Sequence, residues 1–212
     1  MAEELKSSNI GVKHFSYSGC QPAYQSKHLN TGCTRWTAEV MDYLKKNTTI
    51  TTVIVSYRLN QYLFGKHETS YPTLPNKIST QERIDIWASY AQLLDQLKAS
   101  GKDVIAVLQV PEVRKRPEDL IFKAYPLDSE ITSVPAEWWH RRNAFVTEHA
   151  RAISSEIKLI DPTSLFCDTY NCRLTNKGQS LYFDDDHMSV AGATLLSKHI
   201  IKDNFPEWSQ AK

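Results

Sequence analysis

Apolar positions along the chain follow two spacings, one typical of buried strands and one typical of amphipathic helices. Residues 51–57 and 103–110 are apolar and β-branched at their centres, which indicates parallel strands buried on both faces. Between them, Ser79 and Glu82 form a capping box that begins a helix, and Gly101 ends it. The apolar stripe of that helix is expected to be Ile84, Trp87, Ala88, Ala91, Leu94 and Leu97. Strand, helix and strand in this order predict a right-handed parallel crossover.

The same spacings and the capping residues predict five further elements: strands at 12–17 and 158–162, a helix at 34–46, a helix beginning near Pro135, and a final helix capped by Ser189. Residues 111–135 are rich in proline and charge and are expected to form a long loop. We therefore predict one α/β domain over residues 1–212, with a parallel sheet between two layers of helices.

Composition and charge narrow the class of protein. The chain is 41% hydrophobic and 23% charged, which is ordinary for a globular protein. A formal net charge of +1 gives no reason to expect a nucleic-acid partner. No apolar run approaches the roughly 20 residues that span a bilayer, and the first residues lack the apolar segment of a signal peptide. We therefore expect no signal or transmembrane segment in this chain.

The four cysteines lie as two near pairs, Cys20 with Cys33 and Cys167 with Cys172. Pairing of near neighbours is the simplest of the three possible connectivities, and disulfides would imply an oxidising compartment. Free buried thiols and a zinc site are the alternatives. Zinc is the less favoured of these, because neither pair is a Cys-x-x-Cys knuckle and no histidine lies beside them at ligand spacing. We expect two disulfides, no metal and no cofactor.

The most informative stretch is residues 181–193, where Asp184 precedes His187 by three positions. One turn of chain can bring the Asp184 carboxylate to Nδ1 of His187, fixing the tautomer and supporting the imidazolium that forms when Nε2 takes a proton. We expect Asp184, rather than Asp185 or Asp186, to make this bond, because only that spacing leaves the ring facing a cleft. The alternative interpretation is a solvated acidic turn before a capped helix.

Four stretches of this sequence occur in a distinctive order: Ser18-Gly19-Cys20-Gln21-Pro22, residues 93–111 with Gly101-Lys102-Asp103-Val104, Cys167-Asp168 with Cys172-Arg173, and Tyr182-Phe183-Asp184-Asp185-Asp186-His187-Met188-Ser189 with Gly192-Ala193. Together they resemble the SGNH domains attached to bacterial acyltransferase-3 membrane proteins. The resemblance runs from about residue 10 to about residue 203. It therefore covers nearly the whole chain.

The resemblance implies acyl transfer by a Ser-His-Asp mechanism, with Asp184 and His187 as acid and base and the backbone N–H of Gly19 at the oxyanion. It implies that an acyltransferase-3 membrane domain, normally in the same chain, delivers an acyl group, usually acetyl. The SGNH domain would pass that group to a surface polysaccharide such as O-antigen. The full-length protein would accordingly lie at the periplasmic face of the bacterial inner membrane.

The sequence departs from the family pattern in two places. The opening strand, which ends in Gly-Asp-Ser-His, has no counterpart, so we expect the sheet to lack its first, central strand and the helix after it. No serine stands in a Gly-Asp-Ser context, so residues 1–212 alone are expected to be inactive. In the third block Arg58 matches the family's Arg-Trp and Leu59 does not. Arg58 and Asn60 are candidates for oxyanion or substrate contact, and pairing of Arg58 with a surface acid is the alternative.

Three functions share these residues. The first is the acyltransferase domain, the second is an SGNH carbohydrate esterase that releases the acyl group to water, and the third is a non-catalytic carbohydrate-binding pseudoenzyme. The missing serine block supports the third. Whether the isolated chain is itself an enzyme stays open at this point.

Overall fold

The computed structural model describes residues 1–8, 10–26, 31–122, 130–205 and 208. These residues divide into two compact units. We name them the sheet unit, formed by Phe15–Gln109 and Arg142–Asp161, and the histidine unit, formed by Met1–His14, Val110–Arg141 and Pro162–Lys212. The single domain expected from the sequence stays a prediction, and each unit is described by itself.

The described residues form seven strands and eight α-helices, with a short 3₁₀ turn at Lys6–Ser8. The strands are β1 (Thr52–Ser56), β2 (Asp103–Val107), β3 (Thr132–Pro135), β4 (Lys158–Ile160), β5 (Asn171–Arg173), β6 (Thr175–Asn176) and β7 (Gln179–Ser180). The helices are α1 (Ala2–Leu5), α2 (Thr31–Lys46), α3 (Leu59–Phe64), α4 (Thr80–Ala99), α5 (Pro117–Ile121), α6 (Ala136–Ala150), α7 (Thr163–Phe166) and α8 (Val190–Asn204). Among these described helices, none has both the length and the apolar character needed to cross a membrane.

The sheet unit is built on a parallel three-stranded sheet in the order β1-β2-β4. Ile54 of β1 lies opposite Ile105 of β2, and Ala106 lies opposite Leu159 of β4. The predicted crossover from β1 through α4 to β2 is therefore confirmed, and so is the α/β class with a parallel sheet. Strand β1 forms one edge of the sheet as described, and its Ile54 is exposed. The prediction that this strand is buried on both faces is wrong.

Helix α4 packs the core of the sheet unit. Its predicted N-cap is confirmed, since the Ser79 hydroxyl accepts the N–H of Glu82 at 3.2 Å. Trp87, Leu94 and Leu97 of the expected apolar stripe are buried. Ile84 is exposed, while Ile86 and Tyr90, which lie outside the expected stripe, are buried. Tyr90 and Leu93 continue a buried face that meets the apolar side chains of β2. The stripe is predicted only in part because the helix carries aromatic and apolar residues on more than one face.

Two tethers fix the loops of the sheet unit. A disulfide joins Cys20 to Cys33, so the turn at Gly19 is bonded to helix α2. The buried ammonium of Lys102 donates to the carbonyl oxygens of Asn47 and Ile50, at 2.8 and 2.7 Å. This single side chain therefore ties the start of β2 to the turn that precedes β1.

The histidine unit contains two short antiparallel pairs, β3 with β5 and β6 with β7. Two predictions about residues outside the central sheet are wrong. Residues 111–135, expected to be a loop, include helix α5 and strand β3. Residues 12–17, expected to be a strand, have no strand partner in the described structure, and Val12 and Tyr17 are exposed. Strand pairing needs a distant partner, and neither local composition nor alternation specifies one.

Candidate active site

A small hairpin in the histidine unit carries the predicted Asp184–His187 pair. The N–H of Phe183 donates to the carbonyl of His187 at 2.8 Å, and the N–H of Ser189 donates to the carbonyl of Leu181 at 3.0 Å. Between these two bonds, Tyr182 and Met188 lie opposite each other as an antiparallel bridge. The acidic residues 184–186 therefore form the loop of a closed two-stranded turn.

Tyr182 anchors this hairpin to the core of the histidine unit. Its side chain is buried, and its ring lies 6.0 Å from the ring of Phe166. Burial raises the pKa of Tyr182 well above the ordinary range of a phenol, and the Glu112 carboxylate raises that pKa further. The phenol therefore stays neutral at physiological pH. Tyr182 acts as an anchor for the hairpin and not as an acid–base group.

Helix α8 and the segment after β2 hold the hairpin from two further directions. The Ser189 hydroxyl accepts the N–H of Gly192 at 3.2 Å, which confirms the predicted N-cap, and donates to the carbonyl of Ser180 at 2.6 Å. The N–H of Val113 donates to the carbonyl of Asp185 at 3.2 Å. The loop is thus bonded at its tip as well as at its base.

The carboxylate of Asp184 both shapes the loop and contacts the imidazole. Its Oδ1 accepts the backbone N–H groups of Asp186 at 3.0 Å and His187 at 2.7 Å. Its two oxygens lie 3.0 and 2.9 Å from Nδ1 of His187. The predicted Asp184–His187 hydrogen bond is therefore confirmed. Such a bond fixes a proton on Nδ1 and leaves Nε2 as the nitrogen that can accept another.

A second carboxylate meets the same nitrogen. Oδ1 of Asp186 lies 2.6 Å from Nδ1 of His187, so a second acid contacts the ring beside the predicted Asp184. The side chains differ in exposure: His187 is 74% exposed, Asp184 29% and Asp186 9%. The loop bends tightly enough to bring the adjacent acid back onto the ring, and its burial shields that contact from water. The run of three aspartates before His187 was the sequence signal for it.

The same three side chains have the donor types of a cation site. Asp184, Asp186 and His187 each offer one ligand atom, and these atoms lie within 4.8 Å of one another. The imidazole atom involved would be Nδ1, which the carboxylates already contact. The arrangement is fully accounted for by a carboxylate-supported imidazole, and we assign no metal to it.

Arg58, a predicted site residue of the sheet unit, pairs with an acid. Its guanidinium donates to Gln61 and lies 3.0 Å from Oε1 of Glu68, with both side chains of the ion pair mostly buried. The alternative in which Arg58 pairs with an acid is therefore what the structure has. A role in substrate contact stays a prediction.

Asn60 is fully buried in helix α3. Its side-chain amide donates to Oδ1 of Asn143 at 3.0 Å, and its backbone N–H donates to Oε1 of Gln109 at 2.9 Å. These bonds join α3, the residue two positions past β2, and α6 in one buried amide network. Oxyanion or substrate contact by Asn60 stays a prediction. In the structure the Asn60 side chain is buried inside the sheet unit.

Gly19 lies in a turn with a left-handed φ of +70°. The N–H of Cys20 donates to the carbonyl of Tyr17 at 3.3 Å, and the Cys20–Cys33 disulfide holds the turn against α2. A side chain at position 19 would be strained by that backbone conformation, which explains the glycine. Its role as an oxyanion donor stays a prediction.

The second predicted disulfide, Cys167–Cys172, is also present and closes a small loop in the histidine unit. Inside that loop the Asp168 carboxylate accepts the N–H groups of Tyr170 at 2.7 Å and Asn171 at 2.8 Å. These hydrogen bonds lower the pKa of Asp168 below its ordinary value. The loop is therefore organised by a carboxylate as well as by its covalent bond.

The sequence of this chain matches the family of SGNH domains fused to AT3 domains over residues 1–202. The chain belongs to that family. The resemblance inferred from four short stretches is thereby confirmed.

Among solved structures, the chain is similar to the periplasmic domain of a lipopolysaccharide acetyltransferase from Salmonella ser. Paratyphi A. The two are 11% identical and superpose with a TM-score of 0.56, covering 81% of this chain and 62% of that chain. At this identity the likeness concerns the fold alone. The chain spans 62% of the length of that structure. No curated protein matches the sequence.

Proposed function

We propose that this chain is the periplasmic domain of an O-acyltransferase that moves an acetyl or other acyl group onto a bacterial surface polysaccharide such as O-antigen. The observation that carries the proposal is the Asp184–His187 pair, with Nδ1 held by carboxylate and the ring open to solvent. Family membership supports it, because the family's domains are fused to AT3 domains. The lipopolysaccharide acetyltransferase of like fold supports the choice of acceptor.

In this proposal His187 accepts one proton and then donates it in each half of the reaction. Nε2 takes the proton of an attacking hydroxyl as its oxygen bonds to the acyl carbonyl carbon, and then gives the proton to the oxygen that leaves. Asp184 keeps the other ring proton on Nδ1 and stabilises the transient imidazolium. By resemblance to the family the acyl carrier is a serine of a Gly-Asp-Ser block, and none of the 212 residues is assigned that role.

The partners follow from the same reaction. An AT3 domain would supply the acyl group from the membrane, and the polysaccharide hydroxyl would receive it. A periplasmic location is compatible with the two disulfides, which persist in oxidising compartments. The proposal therefore needs no soluble cofactor in this chain, because the AT3 domain would deliver the acyl group.

The test is acetyl transfer by the full-length protein in cells, measured as O-acetyl groups on the purified surface polysaccharide by NMR. His187→Ala is expected to lower transfer by about 10²–10⁴-fold, the usual contribution of an acid–base group. His140→Ala removes an exposed histidine of the same unit and serves as the matched control. Equal transfer by the His187→Ala and wild-type proteins would contradict the proposal. Release of free acetate without acetylated polysaccharide would favour the esterase.

The two aspartates can be separated in the same assay. Asp184→Asn retains an acceptor for the loop amides but loses the charge that supports the imidazolium, so we expect a loss of about 10²-fold or more. Asp186→Asn leaves Asp184 on Nδ1, so its loss is expected to be smaller. The double substitution should cost more than Asp184→Asn alone, because both carboxylates meet the same nitrogen. A larger loss for Asp186→Asn than for Asp184→Asn would reverse the assignment.

A further inference from the structure

An exposed phenyl ring lies directly beside the imidazole of the candidate site. Because Phe183 donates its N–H to the carbonyl of His187, next to the Tyr182–Met188 bridge, the two residues lie opposite each other across the hairpin. Residues opposite each other on antiparallel strands project from the same face, and neighbours along a strand project from opposite faces. Tyr182 points into the core, so Phe183 and His187 both point outward.

The burial of the residues agrees with this alternation. Tyr182 is 2% exposed, whereas Phe183 is 75% exposed, nearly the same as the His187 side chain. Phe183 is not one of the buried core residues, and none of the ring pairs of the described residues includes it. A single exposed apolar side chain is common on protein surfaces. Phe183 differs from the others in its position opposite His187, the proton acceptor of the candidate site.

We propose that Phe183 is the platform on which a pyranose ring of the acceptor polysaccharide stacks. The proposal rests on the function proposed above and assigns a binding residue to the same site. His187 Nε2 must come within hydrogen-bond distance, roughly 3 Å, of the acceptor hydroxyl whose proton it takes. A side chain next to His187 therefore contacts the acceptor sugar. The acyl group is bound to the oxygen of the carrier serine. A phenyl face has no hydrogen-bonding atoms and complements the C–H face of a sugar ring.

Saturation-transfer NMR on the full-length protein tests this contact directly. The probes are the methyl α-pyranosides of rhamnose, galactose and mannose, whose ring C–H signals report contact with the protein. Phe183→Ala and Phe183→Leu are expected to lower binding of the best probe about fivefold or more, and Phe183→Trp is expected to retain it. The leucine variant keeps an apolar side chain and loses only the aromatic face. Thermal unfolding of each variant verifies that the hairpin remains folded.

Tyr170→Ala is the matched control, because it removes another exposed aromatic ring, 79% exposed, from the same unit. Its binding should equal that of the wild type. The proposal is overturned if Phe183→Ala binds the probe as well as the wild type, if Phe183→Leu retains binding, or if the wild type binds none of the probes. His187→Ala separates the two ideas, since it loses acetyl transfer and the hydrogen bond to the acceptor hydroxyl but keeps the phenyl ring, so its sugar binding should fall less than that of Phe183→Ala. Acetyl transfer by the His187→Ala protein would contradict the catalytic assignment of His187. It would not change the conclusion about Phe183.

Discussion

Gly192 is a position at which the addition of one methyl group should strongly disturb the candidate site. It is the third residue of helix α8 and packs against the backbone of Leu181, the residue that begins the hairpin. A methyl group built at Gly192 overlaps the Leu181 carbonyl oxygen and lies 3.1 Å from the carbonyl carbon. That oxygen also accepts the N–H of Ser189, so Gly192→Ala must separate the helix from the hairpin or break this bond.

The expected cost follows from these contacts. Overpacking against backbone costs about 1–3 kcal/mol, and loss of one buried hydrogen bond adds about 0.5–1.5 kcal/mol. Alanine regains at most about 1 kcal/mol through its higher helix propensity. The net loss of unfolding free energy is therefore about 2 kcal/mol. A displacement of the hairpin by about 1 Å would also misplace His187 and lower acyl transfer by about 10²-fold.

Urea unfolding of the Gly192→Ala and Gly11→Ala variants measures this cost. Gly11 lies in the same unit and a methyl group there meets nothing within 4 Å, so the control tests the same chemical change without the overlap. With a slope of about 2 kcal/mol per molar, the midpoint should fall by about 1 M for Gly192→Ala only. Equal midpoints for the two variants, or a higher midpoint for Gly192→Ala, would contradict the close contact between helix α8 and the hairpin.

Three further predictions concern the tethers within the two units. Lys102→Met should lower the unfolding free energy by about 2–4 kcal/mol, because two partly buried carbonyls lose an ammonium donor, whereas Lys46→Met at an exposed position should change it little; equal effects would contradict the tether. The lowered pKa of Asp168 means that its stabilising contribution is present above its ordinary value of 3.8 and is lost as pH falls through the lower folded value. The stability advantage of the wild type over Asp168→Asn should therefore shrink below pH 3.8, and a constant difference in urea titrations would argue against it. Mass spectrometry of exported protein should detect no free thiols, and four alkylated cysteines would contradict both disulfides.

The features predicted correctly from the sequence are those decided within a few residues. Ser79 and Ser189 were predicted as caps, and each accepts the N–H of the residue three positions later. The predictions that are wrong depend on partners far along the chain. Strand β3 exists because it pairs with β5, some 40 residues away, and nothing in the proline-rich composition of residues 111–135 specifies that pairing.

In the candidate site, too, the local contact was predicted from the sequence and the contacts that depend on the fold were not. Asp184 was predicted because its bond to His187 closes over three residues, whereas the contact of Asp186 depends on how the loop bends around that bond. Asn60 was a candidate for substrate contact by position alone. The structure joins it to Asn143 and Gln109, which lie 83 and 49 residues away, and such a network has no local signature.

The alternation of the hairpin explains how so exposed a pair can keep a defined geometry. One face carries Tyr182, which is buried in the core, and the backbone is bonded to helix α8 through Ser189. The other face carries His187 and Phe183, which contribute little to the core and remain free to meet a substrate. Substitutions on the two faces should therefore separate. Changes at the buried face should lower stability and activity together, while changes at His187 and Phe183 should alter chemistry or binding in a protein that unfolds normally.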